Sequence, residues 1–263
     1  MFTVIHASFK RNWTVSRRVF PLTFFVANIV SGVFIIFNAY FYNEYFFQGA
    51  LDQEFQVYTG TSDYISYVMK NGIFYTLCVS TLLGVGRSFI NELRQGTLET
   101  FLLTPSSRVA YLIGIFTEQV LRSSIEVLII LSLGYMLGGD LSQIKLVNWI
   151  VILFASLCSF FCMGICLCAI MLYLRETYLI QNTLFIIMFL LCGVMNPIQY
   201  LPDFLECISY IFPLTHVLRL SNFDSNNLTN DLFNLSLSSI IWFGIGIISL
   251  KKIERKIFTL HSG

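Results

Sequence analysis

Charged side chains are scarce in this 263-residue sequence, where Asp, Glu, Lys and Arg together make up 12% of the residues. Soluble domains carry about 25% charged residues, because a globular chain needs a polar exterior. Hydrophobic residues reach 56% and mean hydropathy is +0.73, too much apolar surface for a soluble core of this size. The formal net charge of +1 gives no basis for a nucleic-acid partner. Lipid is therefore the expected solvent.

The motifs of several common catalytic sites are also missing. His6, His216 and His261 form no H-E-x-x-H pair, and no G-x-S-x-G occurs. There is no G-x-x-x-x-G-K-[ST] phosphate loop, and no polar stretch is long enough for a nucleotide-binding fold. We predict that the chain is not an enzyme and that it binds no cofactor and no metal itself.

Seven cysteines leave one metal or thiol hypothesis open. Cys158, Cys162 and Cys166 recur every four residues on one helical face. No histidine lies near them in sequence, and small residues at this spacing are typical of close helix packing. Packing is the favoured interpretation. Only Cys207 is predicted on the outer side, so no disulfide framework is indicated.

Six charge-poor stretches are long enough to cross a hydrocarbon core, which takes roughly 20 helical residues. Continuous apolar runs favour helices over a barrel of short alternating strands. The first run spans a bilayer and lacks a small-residue cleavage site, so we expect a membrane helix there rather than a signal peptide. The predicted fold is an all-α membrane protein with one transmembrane domain over residues 1–263. Its six transmembrane helices are predicted at about 19–43, 64–88, 109–137, 148–174, 177–196 and 232–250.

Basic residues gather on one set of connections, which fixes the predicted orientation. Twelve of the 16 lie there: Lys10, Arg11, Arg17, Arg18, Arg87, Arg94, Arg108, Arg175, Lys251, Lys252, Arg255 and Lys256. The positive-inside rule therefore places both termini in the cytoplasm. The 44–63 loop has four acids and no base, as an external loop can.

Two further segments have their own patterns. Phe2, Ile5, Phe9 and Trp13 share one helical face, which predicts an amphipathic interfacial helix over 1–18 lying in the headgroup plane. A loosely ordered tail is the alternative. The stretch at about 197–220 is too apolar for a free loop and too broken for a span, so we predict short outer re-entrant helices there. Its prolines are predicted outer-gate residues: Pro197, Pro202 and Pro213.

The second cytoplasmic connection predicts a short amphipathic helix at about 91–104. Leu98, Phe101 and Leu102 would form its apolar face. Thr97 can cap a helix start, and Pro105 would stop the helix. A knob of mixed polarity is suited to docking into a soluble partner. An ordinary polar loop is the alternative.

Here the sequence resembles a known family. The run 92–105, with Gly96-Thr97-Leu98-Glu99 at its centre, is similar to the signature of type-2 integral membrane permeases of ATP-binding-cassette (ABC) transporters. The stretch 193–202, followed by 211–216, resembles the second signature of that family. The two matches occur in the family's order. One departure is a thin charge run before the Gly-Thr pair, where Leu93 separates two charged residues.

The resemblance implies a half-transporter that pairs with a second permease protomer, as a homodimer or heterodimer, and binds cytoplasmic ABC ATPase subunits. ATP and Mg²⁺ would be used by that partner. The residues implied to contact the ATPase are those of the coupling helix: Asn91, Glu92, Arg94, Gln95, Gly96, Thr97, Leu98 and Glu99. The 1–18 helix would be the connecting helix of the family.

The third predicted span carries an intramembrane triad. Glu118, Arg122 and Glu126 are four residues apart and share one helical face. Each charge costs roughly 2.5–3.5 kcal/mol at mid-bilayer, so Arg122 is expected to pair with the glutamates. The triad would either line a translocation path or gate, or form a structural ion-pair network.

The predicted function is an exporter permease in the cell (inner) membrane for a lipophilic or amphiphilic cargo such as a drug, antibiotic, peptide or lipid. A role in multidrug or antibiotic resistance would follow. Export of a polysaccharide or lipid-linked glycan is the alternative within the family. A secondary transporter would show an inverted repeat, which is not visible, and a membrane sensor is the remaining rival. Heavy use of Phe and Asn suggests an AT-rich, bacterial genome.

Overall fold

The computed structural model describes residues 2–19, 21–47, 53–61, 63–98, 100, 107–140, 146–222 and 228–261. The regular elements of these residues are helical. They are α1 (Phe2–Val19), α2 (Pro21–Phe41) with a π-helical turn (Tyr42–Phe46), α3 (Gln53–Thr59), α4 (Tyr64–Arg94), α5 (Arg108–Met136), α6 (Leu146–Leu174), α7 (Tyr178–Leu191), a 3₁₀ turn (Ile198–Tyr200), α8 (Asp203–Ser209), α9 (Pro213–Asn222) and α10 (Leu228–His261).

The apolar runs of the sequence produce helices long enough for a bilayer. By length and hydropathy, three stretches of the described residues could cross a membrane: Gln53–Arg94, Val147–Leu174 and Thr229–Ile253. The all-α class is thus confirmed, and the count of six spans stays a prediction. α2 and α5 have 21 and 29 residues, and at about 1.5 Å per residue both exceed the roughly 30 Å of a hydrocarbon core.

Local chemistry sets both ends of α4. The extended Asp63 caps its start, because the carboxylate accepts hydrogen bonds from the N–H groups of Ile65 and Ser66 at 3.3 and 3.0 Å. The helix ends at a Gly96 with φ +70, a conformation that glycine adopts without a steric penalty. The next N–H, of Thr97, then bonds back to the Glu92 carbonyl at 3.0 Å. α4 therefore runs six residues beyond the predicted span of 64–88.

The same geometry shifts the predicted coupling helix. Residues 91–94 form the last turn of α4 rather than the start of a separate helix, and Gly96 closes that helix. The prediction drew one helix over 91–104 and did not allow for a glycine at position 96 that ends the preceding helix. Residue 99 and residues 101–106, including Phe101, Leu102 and Pro105, lie outside the described residues.

α4 lies at the centre of the helix packing. It packs against α2, α5, α6 and α9, and α6 also packs along α10. The ring of Phe74 stacks on Trp149 of α6 with centroids 5.4 Å apart. A second apolar cluster around Phe89 and Leu112 joins α4, α5 and α6. These contacts hold together the helices that surround the candidate site.

The amino-terminal segment Phe2–Val19 is a helix that is docked on protein, and its predicted position in the headgroup plane stays a prediction. α1 packs on α5 with Val4 and Ser8 toward the neighbouring helix, whereas Phe2 is 89% exposed. A Cβ added at Gly114 of α5 would lie 2.6 Å from the Ile5 carbonyl oxygen. The missing side chain at Gly114 therefore allows the two helices to approach closely.

The predicted fifth span is shorter than expected. The sequence predicts a helix over 177–196, whereas α7 has 14 residues and a length of about 21 Å. It ends before Gly193, whose φ is +86, and Pro197 follows. The predicted segment at 197–220 consists of a 3₁₀ turn and the short helices α8 and α9. α9 packs on α4, α6 and α10.

Candidate functional site

A polar cavity of about 550 Å³ lies between α1, α4 and α5. Its walls combine two groups of residues that the sequence placed in separate predictions. Asn91, Glu92 and Gln95 come from the coupling segment, and Glu118 and Arg122 come from the triad. The cavity therefore joins the end of α4 to the polar face of α5.

Glu92 organises one end of this cavity. Its side chain is 5% exposed, and it accepts hydrogen bonds from three side chains on different parts of the chain. Arg11 Nη1 lies 2.6 Å from Oε1, and the Tyr111 hydroxyl donates to the same oxygen at 2.8 Å. The Thr97 hydroxyl donates to Oε2. A buried carboxylate needs such donors, because desolvation without them is costly.

The Arg11 contact connects the amino-terminal helix to α4. Arg11 Nη2 also donates to Gln95 Oε1 at 3.2 Å, so one guanidinium holds two residues of the α4 end. The hydrogen bond to Glu92 is the main reason that the pKa of Arg11 is raised. Because Arg11 is 45% exposed, solvent screens this ion pair in part.

An exposed edge lies beside the Glu92 cluster. Its members are Asn91, Arg94, Gln95, Gly96 and Thr97, and all five are exposed. Leu98, by contrast, is 2% exposed and packs in the cluster of Phe89 and Leu112. Of the predicted coupling residues, the structure thus buries Glu92 and Leu98. Glu99 lies outside the described residues.

The triad residues have different neighbours. Arg122 forms an ion pair with Glu118 one turn earlier, and Gln119 Nε2 donates to Glu118 Oε2 at 3.0 Å. Glu126 accepts a hydrogen bond from the Ser31 hydroxyl of α2. Glu118 and Arg122 line the cavity, while Glu126 is directed to the contact between α2 and α5. The two glutamates of the triad are therefore buried against other parts of the protein.

The three gate prolines occupy another region. Pro197 precedes the 3₁₀ turn, Pro202 precedes α8, and Pro213 begins α9. The turn between α7 and Pro197 is tied to α4, because the Tyr67 hydroxyl and Asn71 Nδ2 donate to the Gly193 carbonyl at 2.7 and 3.0 Å.

A second polar link joins α9 to the same face of α4. Asn222 Nδ2 donates to Asn71 Oδ1 at 2.9 Å. α4 thus has polar contacts to different elements near both ends.

The sequence did not assign Arg11, Tyr111 or Gln119 to this site. The sequence places Arg11 only among the basic residues of the predicted cytoplasmic side, and Tyr111 lies at the start of a predicted span. Arg11 and Glu92 are 81 residues apart, so no local pattern could pair them. A buried tyrosine needs a hydrogen-bond partner for its hydroxyl, and this need is the one sequence feature that points to a contact of Tyr111 with a polar residue.

Comparison with known proteins assigns the sequence to a family. A family model described as ABC-2 type transporter matches residues 3–221. None of the curated proteins compared with the sequence matches it. The matched residues include the whole cavity and the segment with the three prolines.

Proposed function

The chain belongs to the ABC-2 type transporter family, and from this premise we propose that it exports a lipophilic or amphiphilic compound from the cytoplasm. As a permease of this family it is the membrane component of an ABC transporter, which associates with an ABC ATPase. We assign the use of ATP and Mg²⁺ to that ATPase. The 26 Phe and 13 Tyr residues support an apolar or aromatic cargo.

The exposed edge beside Glu92 is the observation that carries this proposal. It presents Asn91, Arg94 and Gln95 on the surface while Glu92, directly beneath, contacts α1 and α5. A force applied to this edge reaches three helices through direct contacts. A polar surface backed by a buried hydrogen-bond cluster is suited to receive a soluble partner.

Transport then follows from a shift between two states. We propose that two permease protomers, identical or homologous, enclose the path for the cargo. Closure of the ATPase subunits would move the α4 end together with α1, through Arg11, and α5, through Tyr111. ATP binding supplies the differential affinity that such a shift requires, because a ligand moves an equilibrium only by binding one state better.

Two variants test the docking surface. Arg94→Glu reverses a charge on the exposed edge, and Gly96→Pro forbids the turn, because proline fixes φ near −65° whereas Gly96 has φ +70. Each chain is expressed in its source cells with a purification tag, and the ATPase that copurifies with it is measured. We expect both variants to retain about tenfold less ATPase and to lose transport in proteoliposomes.

Lys252→Glu is the matched control. It also reverses one exposed charge, in the last third of α10 on the predicted cytoplasmic side, and it is expected to retain the ATPase. If the unaltered chain copurifies with no ATPase, or if Arg94→Glu and Gly96→Pro retain it fully, the proposed coupling is refuted.

A further inference from the structure

The charges that line the cavity do not cancel. Three arginines and two glutamates line it: Arg11, Arg87, Arg122, Glu92 and Glu118. Arg11 pairs with Glu92 and Arg122 pairs with Glu118. One positive charge remains, and it belongs to Arg87.

The contacts of Arg87 are all with uncharged groups in the described part of the chain. Its guanidinium donates to the Gln181 side-chain oxygen of α7 and lies 5.5 Å from the centre of the Tyr178 ring. No carboxylate of a described residue forms an ion pair with it. A guanidinium has five N–H donors, so Arg87 keeps the capacity to bind an anion.

The cavity also has an apolar part, and one of its walls is α1. Val15, Leu83 and Ile115 line it together with the polar residues. Val15 belongs to α1, the amphipathic helix predicted to lie at the depth of the headgroups. The volume of about 550 Å³ falls in the range of about 300–1,000 Å³ that small-molecule sites occupy.

We propose that this cavity binds the phosphate-bearing headgroup of an anionic lipid from the cytoplasmic leaflet, with Arg87 as the group that contacts the phosphate. The surplus positive charge selects an anion, and a basic pocket between membrane helices on the cytoplasmic side is suited to lipid phosphate. The apolar lining would hold the start of the acyl chains. The site lies within one protomer, between α1, α4 and α5, and its occupancy does not depend on the direction of transport.

Lipid binding to the full-length chain tests this assignment. The purified protein is titrated with short-chain phosphatidylglycerol or phosphatidylcholine, and bound lipid is counted by native mass spectrometry. We expect phosphatidylglycerol to bind more tightly and Arg87→Gln to reduce its affinity by about fivefold, the effect of one basic residue near anionic lipid. Arg87→Lys, which keeps the charge, should keep most of the preference.

Arg18→Gln is the matched control, because it removes one exposed arginine from α1 without touching the cavity lining. Its preference for phosphatidylglycerol should be unchanged. Equal losses in Arg87→Gln and Arg18→Gln, or no loss in Arg87→Gln, would overturn the site.

Two further arms complete the test. Inorganic phosphate alone should not displace the lipid, since it lacks acyl chains, and displacement at similar concentrations would overturn the lipid as the ligand. If the Arg87 variants do not fold, Asn12→Trp narrows the cavity from α1 and should lower lipid binding. Unchanged binding in that variant would refute the proposal.

Discussion

Replacing Tyr111 by Phe removes one hydroxyl from the Glu92 cluster while the ring can stay in place. The ring stacks on Phe89 with centroids 5.8 Å apart and planes 3° from parallel, and these contacts do not need the hydroxyl. The lost interaction is the 2.8 Å hydrogen bond to Glu92 Oε1. Tyr111→Phe therefore measures this bond with little change in packing.

The expected magnitude follows from burial and charge. Tyr111 is 5% exposed, and a hydrogen bond to a charged group contributes about 1.5–3 kcal/mol. Water in the cavity can replace part of it, so we expect a loss of about 1.5 kcal/mol in the free energy of unfolding. Glu92→Gln also loses the half-exposed ion pair with Arg11, and we expect a loss of about 2–3 kcal/mol.

The double variant isolates the bond itself. In a Glu92→Gln background the Tyr111 hydroxyl has only a neutral partner, so its removal costs less. We expect a coupling energy of about 1 kcal/mol between the two positions. Unfolding in mixed micelles with increasing dodecyl sulfate can be followed through labelling of the buried thiols of Cys78 and Cys168.

Tyr135→Phe is the control for this measurement. Tyr135 lies on the same helix and is 53% exposed, so its change is expected within about 0.5 kcal/mol. Additive effects of Tyr111→Phe and Glu92→Gln, or a loss for Tyr111→Phe no larger than that of Tyr135→Phe, would refute the cluster as a stabilising contact between α4 and α5.

Three other changes have defined outcomes. Gly114→Ala should lower the free energy of unfolding by about 1–3 kcal/mol, because its Cβ would meet Ile5 and Ser8 of α1. Gly244→Ala is the control, since its Cβ position is open space, and it should leave the free energy of unfolding unchanged. Equal effects of the two changes would contradict the docking of α1. Arg122→Leu should lower the free energy of unfolding by about 3 kcal/mol, since it leaves the buried Glu118 carboxylate without its cation. Adding Glu118→Gln to this variant should recover part of the loss. No recovery would contradict the pairing of Arg122 with Glu118. Burial lowers the pKa of His216 below 6.5 in the folded chain. As the pH falls from about 7.5 to about 5, the unfolded chain therefore takes up a proton at His216 before the folded chain does, and the free energy of unfolding should decrease. His216→Gln should reduce this decrease in melting experiments at the two pH values, and an unchanged decrease would exclude His216 as its source.

The sequence predicted well those features that depend on neighbouring residues. Apolar runs predicted an all-α chain with long helices, and residues Phe2–Val19, for which the spacing of Phe2 and Ile5 predicted a helix, are helical. The end of α4 was misplaced because the pattern of 91–104 was interpreted as one helix, whereas the positive φ of Gly96 and the backbone bond from Thr97 to Glu92 end α4 there. Helix α7 was predicted too long, because hydropathy does not reveal where the backbone turns.

The contacts that build the cavity join residues far apart in sequence. Glu92 was expected on a surface, and its burial depends on Arg11 and Tyr111, which approach it only once α1 and α5 have packed. Ser31 reaches Glu126 from another helix in the same way. A single sequence contains no periodicity that links such positions, so the pairing of charges could be anticipated for Arg122 and Glu118 but not for Arg11 and Glu92.

The unbroken course of α4 has a mechanical consequence. Its 31 residues form one continuous helix about 46 Å long, at about 1.5 Å per residue. Near one end, Glu92 accepts a hydrogen bond from Arg11, and near the other end Tyr67 and Asn71 donate to the Gly193 carbonyl. Tyr67 and Asn71 lie about 38 and 32 Å from Glu92 along this helix, so a tilt of about 5° that pivots at Glu92 would move them by roughly 3 Å. A hydrogen bond cannot stretch that far, and even a small tilt of α4 must therefore either move the loop at Gly193 with it or break these contacts.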